Sequence, residues 1–265
     1  MIVIKGAGDL ASGVAVRLSR CGFPIVMTDL PHPTSIRRTV CFSEAILKGT
    51  FTVEDVTAGF AEDLSKIPQI LSNEQIAVLA DPNADCIRSL KPDVVIDAIL
   101  AKKNLGTSIH DAPIVIALGP GFTAGVDCHA VIETMRGHDL GRVILNGSAQ
   151  PNTGIPGSIG GFTTERVLRA PKDGVFTEVR HIGDLVKKGE CVATVDGEPI
   201  RSELDGVVRG LLPSNTPVKR GMKSGDIDPR GVISNCVTVS DKSRAIGGGV
   251  LEAILYLKRR YHHVS

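Results

Sequence analysis

The chain has 265 residues, a length that suggests two domains or one large α/β unit with an appendage. Its hydrophobic fraction of 42% can supply a sizeable core, and its net charge of +1 provides no basic field for nucleic acid. Trp is absent and only 7 Phe and 2 Tyr occur, which argues against an aromatic platform for single strands. We therefore expect no nucleic-acid partner.

The sequence contains no apolar run of about 18 residues and no signal-peptide pattern at its start. We therefore expect no membrane partner and a cytoplasmic location. The six cysteines are scattered without a CxxC pair. In a cytoplasmic chain this pattern is typical of buried small hydrophobic residues, so we expect neither a metal centre nor a disulfide framework.

Residues 1–146 alternate short apolar runs with helical patterns, which is typical of a parallel α/β sheet. Several of the runs are continuous Val, Ile and Leu, as in strands that are covered on both faces. The predicted strands are Ile2–Lys5, Ile25–Asp29, Gln75–Ala80, Asp93–Ile99, Ile114–Leu118 and Arg142–Asn146. The predicted helices are Leu10–Arg20, Thr34–Lys48, Asp85–Leu90 and Val126–Arg136. We therefore predict a Rossmann-like parallel-sheet domain over residues 1–165, which ends in a loop rich in Gly and Pro.

Residues 166–240 change to short β-like runs that are separated by turn residues. A Val followed by two basic residues and a Gly occurs at Val186–Gly189 and again at Val218–Gly221. This pairing resembles the biotinyl/lipoyl carrier barrel, but no Lys stands on the central hairpin to be modified. We predict a small biotinyl/lipoyl-like β barrel without carrier function over 166–240, and a C-terminal helix over 241–265 that packs back on the first domain.

A glycine loop of the pattern G-x-G-x-x-A follows the first predicted strand. In this pattern Gly6 permits a tight turn, Gly8 lets a pyrophosphate approach the backbone, and Ala11 allows close helix packing. The following helix offers free N–H groups to an anion, and Asp29 ends the second strand, where a carboxylate can bind a ribose hydroxyl. The candidate cofactor-binding residues are Gly6, Ala7, Gly8, Asp9, Leu10, Ala11 and Asp29. The alternative is a Rossmann-shaped scaffold that binds no nucleotide.

A second polar cluster follows the predicted strand Ile114–Leu118, and it should lie at the carboxyl edge of the sheet, where ligands bind. If a helix starts at Asp127, then His129 and Glu133 share one face and Arg136 lies close to it. These four residues are the candidate catalytic residues. Three interpretations stay open: a capped, salt-bridged surface helix, a polar substrate site with Arg136 and His129 as donors, or a metal site of Asp127, His129 and Glu133.

Four segments together resemble the YqeB family: GAGDLASGVAVRL at 6–18, ALGPGFTAGVDCHAVIETMRGHDLGRV at 117–143, NTGIPG at 152–157 and GMKSGDIDPRG at 221–231. Members of this family are accessory proteins of the selenium-dependent molybdenum hydroxylase system. The resemblance implies a cytoplasmic role in maturing a partner, a molybdenum hydroxylase of the xanthine dehydrogenase type. The related xanthine dehydrogenase accessory proteins carry a Rossmann-type domain and handle molybdenum cofactor.

The sequence and the resemblance lead to one predicted function and two alternatives. The predicted function is an accessory protein that binds a nucleotide (NAD or CTP-type) or molybdopterin dinucleotide in a Rossmann-like cleft and helps mature a molybdenum hydroxylase. The first alternative is an NAD-dependent dehydrogenase, because the Asp29 carboxylate would repel the 2′-phosphate of NADP and His129 could act as acid or base. The second is a non-catalytic scaffold that docks a partner.

Overall fold

The computed structural model describes residues 1–262, without the side chains of 261 and 262. The chain forms two compact units. The first unit comprises Met1–Pro33, Cys41–Thr153 and the segment from Val239, and the second comprises Thr34–Val40 and Gly154–Thr238. The division into the domains 1–165, 166–240 and 241–265 stays a prediction. Residues 263–265 of the predicted final helix lie outside the described residues.

The first unit is built around one large sheet. Its strands are β1 (Ile2–Lys5), β2 (Ile25–Asp29), β3 (Thr50–Val53), β4 (Val56–Ala61), β5 (Ile76–Ala80), β6 (Val94–Asp97), β7 (Ile114–Leu118), β8 (Ala130–Ile132) and β9 (Val143–Ile144). Its helices are α1 (Asp9–Arg20), α2 (Glu44–Lys48), α3 (Ile67–Ser72), α4 (Cys86–Leu90) and α5 (Asp241–His262), with a 3-10 turn at Leu64–Lys66. Within the described residues, no helix combines the length and the apolar character that crossing a membrane would need.

The nine strands follow the order β3-β4-β5-β2-β1-β6-β7-β8-β9. The seven central strands are parallel, and β3 and β9 run antiparallel at the two edges. The central strands are continuous apolar runs whose side chains are buried, as a sheet covered on both faces requires. The predicted all-parallel Rossmann-like sheet is therefore wrong, because the sheet is mixed and antiparallel strands close both of its edges.

Two predicted helices are also wrong. Residues 126–136 hold the short strand β8 in place of a helix, because Ala130-Val131-Ile132 is an apolar run that pairs with β7 and β9. The predicted helix over Thr34–Lys48 is reduced to a 3-10 turn at Arg38–Val40 and to α2. Local pattern alone did not reveal that residues 34–40 leave the first unit.

Helix α5 packs along α1 in a parallel direction. A Cβ at Gly13 would lie 2.4 Å from the Cβ of Ser243, and one at Gly247 would lie 3.3 Å from the Cβ of Arg17. Small residues are thus required where the two helix backbones approach. Since α1 follows β1, both helices begin at the carboxyl edge of the sheet, the end at which its parallel strands finish.

The second unit consists of two antiparallel four-stranded sheets, in the orders β10-β17-β15-β12 and β14-β13-β11-β16. The strands are β10 (Val167–Arg169), β11 (Gly174–Glu178), β12 (Leu185–Val186), β13 (Cys191–Val195), β14 (Glu198–Arg201), β15 (Gly206–Leu211), β16 (Thr216–Val218) and β17 (Lys223–Asp228), followed by a 3-10 turn at Ile233–Cys236. A shared core includes Phe176, Val192, Val208 and Ile227. The predicted biotinyl/lipoyl-like barrel is wrong. The strands form two separate antiparallel sheets, and residues 34–40 also belong to this unit.

Candidate functional site

The glycine loop turns sharply because another segment lies against it. Gly6 has a φ of +97°, and its N–H donates to the carbonyl of Thr28 at 2.8 Å. A Cβ at this position would lie 3.0 Å from the carbonyl oxygen of Ala98, which follows β6. Glycine is therefore needed at position 6 both for the left-handed backbone and for the close approach of residue 98.

The chain's own groups bind the polar atoms of Ala7. Its N–H donates to Oδ2 of Asp29 at 2.8 Å, and its carbonyl accepts from the N–H of Ser43 at 3.0 Å and the hydroxyl of Ser12 at 3.1 Å. Oδ1 of Asp29 accepts from the N–H of Leu30 at 2.7 Å. Burial raises the pKa of Asp29 more than these two backbone N–H groups lower it. Asp29 thus holds the glycine loop in place.

The remaining loop residues form the start of α1. Gly8 is the N-cap residue, and no side chain caps the helix there. Asp9 is the first helical residue, and its carboxylate accepts a hydrogen bond from the hydroxyl of Ser243 at 3.2 Å. Leu10 is half-buried and Ala11 is buried. The structure therefore directs Asp9 toward α5.

The four candidate catalytic residues separate into two groups, because β8 replaces the predicted helix. His129 precedes β8 and Glu133 follows it, and four residues of strand span about 13 Å. Nδ1 of His129 accepts from the N–H of Val115 at 2.9 Å, and burial is the main cause that lowers the pKa of His129. Oδ2 of Asp127 accepts from the N–H of Thr123 at 2.7 Å in the preceding turn. Asp127 and His129 thus lie away from Glu133.

The metal interpretation fails on this geometry. Among the residues that the structure describes, no group of three or more His, Cys, Asp or Glu side chains could hold a metal ion. Burial, followed by the charge of Asp127, raises the pKa of the neighbouring Cys128 thiol to about 12, which disfavours the nucleophilic thiolate form.

Glu133 and Arg136 do lie close to the start of α5. The Glu133 carboxylate accepts from the N–H groups of Met135 at 2.7 Å and Gln150 at 2.8 Å. The guanidinium of Arg136 makes two hydrogen bonds to Asp241, at 2.7 and 2.9 Å. Both residues follow β8, so they lie at the carboxyl edge of the sheet.

Lys242 is the residue of this site that sequence reasoning missed. Its side chain is partly buried, and burial, followed by the charge of Arg136, lowers the pKa of its ammonium, while Asp9, Glu133 and Asp241 raise it. No hydrogen bond or ion pair joins Lys242 to another described residue. The sequence signal was the helix start Ser240-Asp241-Lys242-Ser243, in which the N–H of Ser243 donates to the hydroxyl of Ser240 at 3.1 Å.

The site combines charges of both signs with the starts of two helices. Helices α1 and α5 both begin here, and the N-terminus of a helix carries about half a positive charge together with unbonded N–H groups. Arg136 and Lys242 add two cations, while the carboxylates of Asp9, Glu133 and Asp241 accept the hydrogen bonds described above. These features define the first unit as an α/β protein with an open mixed sheet and a candidate small-molecule site at its carboxyl edge.

Sequence comparison supports the YqeB family. The chain is 52% identical over 257 residues to a protein of Escherichia coli (strain K12) named Uncharacterized protein YqeB. The match takes in 97% of this chain and 48% of that protein, so the chain spans about half the length of the curated relative it matches. No family model matches the chain.

Solved structures show a weaker likeness. An aspartoacylase family protein from Mesorhizobium loti is 12% identical with a TM-score of 0.26, covering 77% of this chain and 56% of that one. A succinylglutamate desuccinylase/aspartoacylase from Rhodobacter sphaeroides is 13% identical with a TM-score of 0.24, covering 86% of both chains. The ectoine utilization protein from Ruegeria pomeroyi, in its apo structure, is 10% identical with a TM-score of 0.24 and covers 85% of both.

The glycine loop departs from the predicted function, since Asp29 binds the Ala7 amide that was expected to meet a phosphate. The accessory function, the dehydrogenase and the docking scaffold are therefore withdrawn. A likeness at TM-scores near 0.25 carries no reaction over to this chain.

Proposed function

We propose that the chain binds a small molecule with a carboxylate or phosphate group at the carboxyl edge of the large sheet, between the starts of α1 and α5. The observation that carries this proposal is Lys242, a partly buried lysine at this edge that no carboxylate pairs. The charges of Asp9, Glu133 and Arg136 act on Lys242, and these three residues would belong to the same ligand site.

The partial burial of Lys242 is the reason to expect an anionic ligand. Burying an ammonium costs free energy, and this cost lowers the pKa of Lys242 although the charges of Asp9, Glu133 and Asp241 act in the opposite direction. The three nearby carboxylates are already engaged by a hydroxyl, by two backbone N–H groups and by a guanidinium. A bound carboxylate or phosphate in direct contact with the ammonium would offset the cost of burial and raise the pKa of Lys242.

Backbone groups at the start of α1 would complete the site. The N–H groups of Gly8, Asp9 and Leu10 stand at the first turn of the helix, where backbone donors have no partner within the helix. Asp29, Gly6 and Ala7 would act indirectly, because they fix the loop from which α1 starts. Asp127 and His129 have no part in this proposal.

The proposal is tested by thermal unfolding of the chain with phosphate, succinate or citrate, against chloride at equal ionic strength. We expect one class of anion to raise the melting temperature, because a ligand that binds only the folded state stabilises it. Lys242→Met should weaken the binding of that anion by about tenfold or more, which is the effect of losing one charge-assisted contact. The matched control is Lys66→Met, which removes an exposed lysine that lies elsewhere.

Two results would contradict the proposal. One is the absence of a shift with every anion, and the other is an unchanged shift in Lys242→Met. Amine labelling supplies a second readout, since the lowered pKa should make Lys242 react faster than Lys66 near neutral pH and a bound anion should protect it.

A further inference from the structure

The second unit contains a polar cavity of about 410 Å³ that has no part in the site described above. Residues of two edge strands line it, β10 of one sheet and β14 of the other. Arg169 ends β10 and Arg201 ends β14, so each sheet contributes one guanidinium to the same cavity. Its volume lies in the range of small-molecule sites, which runs from about 300 to 1,000 Å³.

Each guanidinium is held by one backbone contact. Nη1 of Arg169 donates to the carbonyl of Gly221 at 2.9 Å, and Nη1 of Arg201 donates to the carbonyl of Gly189 at 2.9 Å. A guanidinium has five N–H donors, so each contact leaves Nη2 and Nε available. The contact also orients the planar group in advance, which lowers the entropy lost when a ligand binds.

Neither arginine forms an ion pair with a described residue, in contrast to two lysines of this unit. Lys187 pairs with Asp205 at 3.0 Å, and Lys219 pairs with Asp173 at 2.9 Å. The cavity lining contains one carboxylate, Glu203, against the two guanidiniums. The cavity therefore carries a surplus of positive charge.

We propose that this cavity is a second binding site, which takes the carboxylate or phosphate group of a small molecule between Arg169 and Arg201. Two guanidinium forks suit either group, because each fork can bind two oxygens of a carboxylate or of a phosphate in a bidentate manner. Thr164 adds a hydroxyl donor to the cavity lining. The site stands on its own residues and does not depend on Lys242.

The test uses the full chain and calorimetric titration with inorganic phosphate in one arm and succinate in the other. The variant Arg169→Gln/Arg201→Gln removes both forks, and Arg220→Gln removes an exposed arginine outside the cavity lining as the matched control. All titrations are carried out in the Lys242→Met background, in which binding at the first site is weakened by about tenfold or more. We expect saturable binding of one anion, weakened about tenfold or more in the double variant and unchanged in Arg220→Gln.

Each outcome decides between the alternatives. Binding of phosphate alone indicates a phosphate ester as ligand, and binding of succinate alone indicates a carboxylate. Absence of saturable binding in the Lys242→Met background, or equal affinity in the double variant, would overturn the second site and leave the first unaffected. Circular dichroism confirms that the variants fold, and labelling of arginines with phenylglyoxal shows whether the anion protects Arg169 and Arg201 in the chain.

Discussion

Asp29 occupies the position at which a dinucleotide fold places its ribose-binding carboxylate, yet both of its oxygens accept hydrogen bonds from the backbone. Oδ2 takes the N–H of Ala7 at 2.8 Å and Oδ1 takes that of Leu30 at 2.7 Å. A carboxylate at this position can therefore be selected for the shape of the loop alone. The residue type and spacing are the same for either role, so the sequence could not separate them.

The stability of the chain should depend on pH through Asp29. Because burial raises its folded pKa above the ordinary value of 3.8 for an aspartate, its contribution to the free energy of unfolding is full below that pH and is lost as the pH rises through the folded pKa. In Asp29→Asn this titration is absent. We expect the free energy of unfolding of the native chain to fall relative to that of Asp29→Asn between about pH 4 and neutrality.

Urea unfolding of both proteins at a series of pH values measures this difference. Other carboxylates titrate in both proteins, so their effects cancel in the comparison. A difference that stays constant across the range would show that Asp29 has an ordinary pKa.

Lys242 is the opposite case, because its residue type gave no indication that it belongs to a site. The sequence contains many lysines, and this one belongs to a helix start more than two hundred residues after the glycine loop. Only the packing of α5 along α1 brings it to the carboxyl edge of the sheet, and pattern within a short window contains no information about that contact. Glu133 and Arg136 were identified because they lie directly after a buried strand.

At the level of elements, the contact between α1 and α5 depends on glycines. Gly13→Ala should lower the free energy of unfolding by roughly 1–3 kcal/mol, because the added Cβ would lie 2.4 Å from the Cβ of Ser243 and the two helices would have to separate. Gly248→Ala is the matched control, since a Cβ there meets no atom within 4 Å. It should raise the free energy of unfolding by about 0.5–1 kcal/mol through helix propensity.

Chemical denaturation of the two variants under the same solution conditions measures both changes in the free energy of unfolding. Equal effects of the two substitutions would mean that helix propensity alone acts and that α5 does not press on α1 at position 13.

Elements with a continuous apolar pattern could be predicted, and elements set by tertiary contacts could not. The predicted strands Ile2–Lys5, Ile25–Asp29 and Ile114–Leu118 coincide with β1, β2 and β7. Residues 126–136 have polar residues at helical spacing, but the short run Ala130-Val131-Ile132 is used as a strand because β7 offers a partner. The hairpin of β3 and β4 was missed, since strand Thr50–Val53 is mostly exposed and lacks an apolar run.

For the molecule as a whole, the notable feature is the short segment 34–40, which leaves the first unit and joins the second. The carbonyl of Ile36 accepts from the N–H of Leu211 at 2.8 Å. Arg38 donates to the carbonyl of Leu211 at 2.8 Å and to Oε1 of Glu178 at 2.5 Å. These contacts connect a segment near the start of the sequence to strands that come much later in the sequence.

Removing the contacts of the Arg38 side chain should destabilise the second unit. Arg38→Met leaves the partly buried Glu178 carboxylate without its guanidinium and should lower the free energy of unfolding by about 1.5–3 kcal/mol. Lys187→Met removes the exposed pair with Asp205 in the same unit and should cost less than about 1 kcal/mol. Hydrogen exchange of amides in β11 and β15 locates the effect, and similar losses in the two variants would contradict the distinction.

The parallel contact between α1 and α5 has a consequence for biosynthesis. Translation releases α1 early, but its partner follows residue 240, after all the strands of the second unit. During synthesis, the face of α1 that carries Gly13 and Val16 therefore stays in contact with solvent or with a chaperone until α5 has been made. Nascent chains arrested before residue 241 should consequently bind chaperones, and chains whose α5 has left the ribosome should not.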